Sequence, residues 1–174
     1  MKYLFASDIH GSAYWCRKLL KAFEREGAER LCLLGDILYH GPRNDLPEEY
    51  APKEVASMLN GIADRILCVR GNCEAEVDQM MLEFPVLADY AVLELSGKRI
   101  YMTHGHHFNI DNPLSMQPGD IMIYGHTHVP LDETRNGRRF LNPGSVSIPK
   151  NGSGHGYIIF ENGTITFHNI PDMV

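Results

Sequence analysis

The chain has 174 residues, 44% of them hydrophobic, and a formal charge of −6 from 16 basic and 22 acidic side chains. A chain of about 150 residues buries roughly 68–70% of its unfolded surface, so residues 1–174 read as one domain, and two halves would each be marginal. The acidic balance and the lack of a dense Lys/Arg run argue against a stable nucleic-acid partner, and leave open a small phosphorylated molecule held by metals.

The N-terminal "MKYLFASDIH" carries a short apolar run that Asp8 interrupts well below the length of a signal-peptide core or a membrane span. A cytoplasmic protein with no membrane partner is expected. The four cysteines, Cys16, Cys32, Cys68 and Cys73, show neither paired C-x-x-C spacing nor the density of a disulfide scaffold, which fits reduced thiols.

The apolar runs Tyr3 to Ala6, Leu31 to Leu34 and Ile66 to Val69 read as buried parallel strands. Cys16, Leu19, Leu20 and Phe23 follow the i, i+3, i+4, i+7 spacing of a helix face, as do Val55, Met58, Leu59 and Ile62, and Val77, Met80, Met81 and Phe84. Gly27 is placed to stop the first helix, Pro52 to open the second and Asn72 to cap the third, whose face should bury Val77 and Met80. The first half is therefore β-α-β-α-β-α, with one long irregular loop from His40 to Pro52.

After Pro85 the texture changes to strand pairs. Tyr90 to Leu95 and Arg99 to Thr103 flank a Ser96-Gly97 turn, and Asn136-Gly137 and Asn162-Gly163 read as two further hairpin turns.

The polar residues sit at telling places. Asp8 and His10 follow the first strand, Asp36 the second, Asn72 the third, His104 the Tyr101 to Thr103 run, and His126 and His128 the Ile121 to Tyr124 run. The C-terminal ends of such strands share one edge, where ligands bind, so these seven can converge. Buried carboxylates and imidazoles without partners cost several kcal/mol, which makes a cation the natural partner. Seven N and O donors exceed one tetrahedral site and suit two divalent ions sharing a carboxylate, with Asp36 as the bridge. A lone D-x-H or G-D recurs by chance; the ordered series "DIH", "GD", "GN", "THG", "GHTH" is far more specific.

That series, together with "FASDIHGS", "HGPRN", "VRGNCEAEVDQM", "YGHTHVP" and "NPGSVSIPK", resembles the calcineurin-like metallophosphoesterases, most of all their compact phosphodiesterases, over nearly the whole chain. The resemblance implies an α/β fold, a four-layer α/β/β/α sandwich of two mixed sheets. It implies one metal on Asp8, His10, Asp36 and His128 and another on Asp36, Asn72, His104 and His126, with Asp36, Asn72 and His104 central to catalysis. A metal-bridging hydroxide would attack a small organic phosphodiester in line with its leaving alkoxide. The ligand types suit manganese, iron or zinc, and the resemblance favours manganese.

Relatives often carry histidine where Cys73 stands, as a donor to the leaving oxygen; a neutral thiol is a weaker one. Spacing argues against Cys73 as a nucleophile, because Gln79 stands where a C-x5-R phosphatase needs arginine. His40, Arg43, Asn44 and His106 are further candidates for substrate contact, with a solvated loop and solvated histidines as the alternative. Competing readings are a phosphomonoesterase or nuclease on the same site, or a non-catalytic metal-binding scaffold. A homo-oligomer is compatible with the sequence.

Overall fold

The structure, a computed structural model, describes residues 1–171. Its first sheet contains β1 (Lys2–Ala6), β2 (Arg30–Leu33), β3 (Ile66–Cys68), β9 (Gly156–Glu161) and β10 (Thr164–Asn169), in the order β10-β9-β1-β2-β3. The second contains β4 (Tyr90–Leu95), β5 (Lys98–Thr103), β6 (Ile121–Ile123), β7 (Leu131–Arg135) and β8 (Arg138–Asn142), in the order β4-β5-β6-β8-β7. Both sheets are mixed. In the first, β1, β2 and β3 run parallel, and in the second β5, β6 and β8 do. Each sheet therefore has its own C-terminal edge.

The two-residue period of the strands sorts their side chains between layers. Phe5, Cys32, Ile158 and Phe160 point from the first sheet into a core shared with Ile100, Met102, Ile121, Ile123 and Leu141 of the second. Their neighbours Leu4, Ala6, Leu31, Leu33 and Ile159 face the other way, onto the helices α1 (Ala13–Glu26) and α2 (Pro52–Asn60). Tyr101, Met122 and Phe140 occupy the outer face of the second sheet. The irregular segment between β5 and β6 covers that face through Phe108, Ile110, Leu114 and Met116, so the fourth layer is a run of bends and turns in place of helix.

The end signals act as expected for α1 and α2. Ser12 accepts the Trp15 N–H at 3.2 Å, Gly27 closes α1 at φ 62°, and Pro52 opens α2. The hairpin turns Ser96-Gly97, Asn136-Gly137 and Asn162-Gly163 all have positive φ at both residues, the two-residue turn whose twist matches the strands. Trp15 is buried, as a packing residue should be, and its ring stacks on His155 with centroids 3.4 Å apart.

The third helix departs from the expectation. α3 (Glu76–Met81) is six residues long, Val77 is 62% exposed and Met80 84%, and the inward positions belong to Asp78 and Leu82. Met81 is likewise exposed, so the Met80-Met81 pair is not core packing, whereas Phe84 is buried beyond the helix end. Backbone satisfaction decides the orientation: Asp78 accepts the Ala75 N–H, and Gln79 donates to the carbonyls of Leu82 and Phe84 while accepting the Val86 N–H. Asn72 does not cap this helix. Ala75 precedes its first turn, and the Asn72 side chain is turned to the site below.

Candidate active site

The loops after β1, β2 and β3 meet those after β5 and β6 where the two sheets' C-terminal edges face each other. Five of the seven predicted donors, Asp8, His10, Asp36, His126 and His128, have positive φ between 50° and 68°. Each such residue costs of order 1–3 kcal/mol and persists only where its surroundings hold it. The chain here turns sharply enough to aim consecutive side chains into one space, which is why D-x-H and H-x-H can each place two donors together.

The donors form two groups. In the first, His10 Nε2 and His128 Nε2 are 3.1 Å apart and lie 3.4 and 3.2 Å from Asp8 Oδ1. In the second, His104 Nε2 lies 3.1 Å from Asn72 Oδ1, 3.3 Å from His126 Nδ1 and 3.4 Å from Asp36 Oδ2. Asp36 Oδ2 also lies 3.8 Å from His10 Nε2, which sets it between the groups.

Three imidazoles are aimed from behind. His10, His104 and His128 donate Nδ1–H to the carbonyls of Tyr39, Leu34 and Ile148 at 2.8, 2.7 and 2.6 Å. A carbonyl only accepts, so Nδ1 carries the proton and Nε2 is left to face the cluster. Asp8 Oδ1 is fully buried with no well-formed hydrogen bond. Acceptors about 3–3.4 Å from one another, with an orphaned carboxylate oxygen among them, are spaced as ligands about 2.1 Å from a common ion would be. The residues fit divalent ions. Asp8, His10 and His128 lie on one side, and Asp8, Asp36 and His104 converge on the other.

The electrostatics agree. Burial pushes Asp8 up, but the facing His10 and His128 outweigh it and hold its carboxyl well below the usual range. Burial pulls His104 down, while the hydrogen bond to Asp36 and the charges of Asp8 and Asp36 carry it up to about 9. The pocket thus demands positive charge, which either protons or metal ions supply.

Supporting residues that sequence reasoning left without a role complete the frame. Glu74, buried beside Cys73, accepts the N–H groups of Asp36, Ile37 and Gly71 at 2.9, 2.8 and 2.5 Å and so clamps the Asp36 loop to the Asn72 loop. Burial and the nearby Asp36 charge raise it to about 7 against those three donors. Asn142 holds the "GHTH" loop by donating to the Gly125 carbonyl at 2.8 Å. Ser145 and Ser147 donate to the Asp8 carbonyl at 2.8 and 3.1 Å. The available signal was small and amide-bearing residues inside an otherwise unexplained "NPGSVS". Gly71 has a packing reason too: a Cβ there would collide with Asp36 Oδ1 and lie 2.7 Å from Glu74 Oε2.

A cavity of about 670 Å³ opens over the cluster. His10, Asp36, Asn72, His126 and His128 line its floor, and the substrate-contact candidates Arg43, Asn44 and Cys73 line its wall with Tyr39, Thr127 and Lys150. Asp8 and His104 lie buried beneath. His40 and His106 are not on this wall. The His40 ring packs edge-on between Tyr39 and Tyr50, and its carbonyl anchors Asn44; His106 lies against His107, its Nδ1 buried. Burial, together with the charges of His104, His107 and His126, lowers His106 to about 4, which disfavours a charged contact.

Cys73 donates its backbone N–H to Asp36 Oδ1 at 2.9 Å, and its Sγ accepts from Asn72 Nδ2 at 3.3 Å. Burial and the Asp36 charge push the thiol far up, so it stays protonated. Its sulfur is within 4.8 Å of donor atoms of His10 and Asp36.

Two facing mixed sheets with carboxylate, amide and imidazole donors gathered at their common edge define a metal-dependent hydrolase of the α/β sandwich class. The chain belongs to the calcineurin-like phosphoesterase superfamily, whose domain matches residues 1–164. It is 47% identical over 172 residues to the phosphodiesterase YfcE of Escherichia coli, covering 99% of this chain and 94% of that one. The solved structure of that phosphoesterase superimposes with a TM-score of 0.96 at 45% identity, over 100% of this chain and 96% of the other. The phosphodiesterase MJ0936 of Methanocaldococcus jannaschii is 26% identical over 152 residues, 83% of each chain. Members of this family use divalent metals, and the chain keeps residues able to bind them. No helix among the described residues is long and apolar enough to cross a membrane.

Proposed function

We propose that this chain is a phosphodiesterase that hydrolyses small organic phosphodiesters with two divalent ions, manganese first among them. Asp8, His10, Asp36 and His128 hold one ion, and Asp36, Asn72, His104 and His126 the other. The observation that carries the reading is Asp36 Oδ2 at 3.8 Å from His10 Nε2 and 3.4 Å from His104 Nε2, poised between two groups of acceptors under an open cavity. Kinship to a named phosphodiesterase at 47% identity supports the choice of diesters. Two such ions supply Lewis acidity toward the phosphate and a water acidic enough to react at neutral pH.

The chain's own residues do the rest. Backbone carbonyls behind His10, His104 and His128 fix those rings before substrate arrives, so little reorganisation is left for the reaction. Cys73, a neutral thiol on the wall, is a weak proton donor for a leaving oxygen. Diesters of phenolates should therefore react far faster than those of alkoxides, since general-acid help of about 10²- to 10⁴-fold is largely missing. The four free cysteines support a reducing, cytoplasmic setting.

The deciding experiment offers aryl phosphodiester, aryl phosphomonoester and short oligonucleotide at equal manganese, alongside Asp36→Asn. Diester turnover that Asp36→Asn abolishes without unfolding the chain is expected. Preference for monoester or oligonucleotide would replace the diester reading, and bound metal with no turnover of any substrate would leave a scaffold.

A further inference from the structure

The cavity holds more positive charge than a phosphodiester needs. Arg43, in the loop after β2, and Lys150, in the turn after β8, both line it, and the only carboxylate among its lining residues is Asp36, at the floor. Neither cation has an ion pair or side-chain hydrogen bond among the described residues, which is equally true of the exposed Lys21, Lys53 and Lys98, but Arg43 and Lys150 are the two that line the cavity. Leaving two cations unpaired beside a cavity, on a chain of net charge −6, fits a ligand that supplies the missing anion.

The main chain is anchored at or beside both, while both residues stay exposed. Lys150 N–H donates to the carbonyl of His128 at 3.1 Å, and Ser153 Oγ donates to the Lys150 carbonyl at 2.6 Å, so this lysine is stapled to a residue of the donor cluster. Arg43 lies in a turn closed by Asn44, whose Nδ2 donates to the His40 carbonyl at 2.8 Å. On the reading above, two divalent ions already balance the charges of Asp8, Asp36, a phosphodiester monoanion and the attacking hydroxide together. The scissile group needs neither mouth cation, and a cavity of about 670 Å³ has room for a substituent beyond it.

We propose that Arg43 and Lys150 form a subsite for a second anionic group, so that the preferred substrates are phosphodiesters bearing a phosphate or carboxylate on one substituent. This inference rests on the phosphodiesterase reading for the scissile bond but not for the subsite itself. Arg43 offers a planar fork for two oxygens and Lys150 a point charge, and both suit either oxyanion.

The test uses manganese-loaded protein and nitrophenyl phosphodiesters that differ only in the tail of the second substituent: phosphate, carboxylate or the neutral amide. Charge-assisted hydrogen bonds of this kind predict that kcat/KM favours the charged tails by roughly ten- to hundredfold, mainly through KM. The ratio should fall to within about threefold in Arg43→Gln/Lys150→Met and recover partly when Lys150→Arg replaces Lys150→Met. Calorimetric binding of phosphonate monoesters with the same tails, which lack the scissile P–O bond, should give the same ratios without turnover. A ratio confined to one tail assigns that oxyanion to the subsite. A wild-type ratio near one, or a ratio unchanged in the double variant, overturns the subsite and leaves diester hydrolysis standing. Tail-dependent phosphonate binding with no turnover of any diester keeps the subsite and fells the phosphodiesterase reading; loss of both fells both.

Discussion

The two sheets contribute different chemistry to one site. The first supplies both carboxylates, the amide and one imidazole, through Asp8, Asp36, Asn72 and His10, while the second supplies only imidazoles, through His104, His126 and His128. Each half also braces the other. His104 donates back to Leu34 after β2, and the Asp8 side chain accepts the His126 N–H at 3.0 Å. Negative charge from one sheet is thus held by neutral or protonated rings from the other, and neither half contains a complete donor group. The shared core between the sheets and the cluster at their edge should therefore rise and fall together.

The hardest blow to that arrangement is a cavity between the sheets. Phe5 is fully buried in the inter-sheet core, and Phe5→Ala should cost about 3–5 kcal/mol. Urea unfolding would measure it, and a loss below about 1 kcal/mol would show that the two sheets do not share a tightly packed core.

A smaller and more local break lies within the first half. Glu74→Gln puts an amide where three backbone N–H groups need acceptors, and loosens the clamp between the Asp36 and Asn72 loops. Supporting residues of this kind are worth about 10- to 100-fold in metal affinity. Manganese titration should register that loss, and an unchanged affinity would reduce Glu74 to a packing residue.

Much of this comparison was legible in the sequence, and the reasons are local. The strands announced themselves as short apolar runs, and Asn136-Gly137 and Asn162-Gly163 marked hairpins because positive φ at both turn residues admits few residue types. The seven donors were legible because each follows such a run. What escaped was decided by distant partners. Leu34, 70 residues from His104, fixes that ring through a carbonyl, and every residue has one. Glu74 looked like any glutamate ahead of a helix, and its three partners are backbone groups. α3 misled because a pattern spanning i to i+7 outruns a six-residue helix, and the hydrogen-bonding needs of Asp78 and Gln79 then set which side faces in.

The pairing of carboxylates with imidazoles also has a pH signature. His104 is raised to about 9 from an ordinary 6.5, so in metal-free protein its contribution to stability is fully present below pH 6.5 and is lost as pH rises through about 9. A metal ion must displace that proton, which sets the opposite trend for binding: affinity should climb by up to about tenfold per pH unit from pH 7 toward 9. Calorimetry between pH 6 and 8.5, in buffers of different ionisation enthalpy, would count the protons released. A flat affinity above pH 7 with no proton released would mean that the two carboxylates do not hold His104 charged.

The smallest effect belongs to the part of the first half that stands outside the comparison. Met80 is 84% exposed on α3, on the side away from Asp78 and Leu82, and it makes no contribution to either sheet's core. Met80→Ser should change stability by no more than about 0.5 kcal/mol, the ordinary range for surface positions, and leave manganese affinity where it was. The same substitution read from the helical spacing alone would have emptied a core position at a cost of about 2–5 kcal/mol. Thermal unfolding separates the two by several degrees, since about 2–4 °C accompanies each kcal/mol in a domain of this size. A large drop would return Met80 to the core and turn α3 over, moving Asp78 and Gln79 away from the backbone groups they now satisfy.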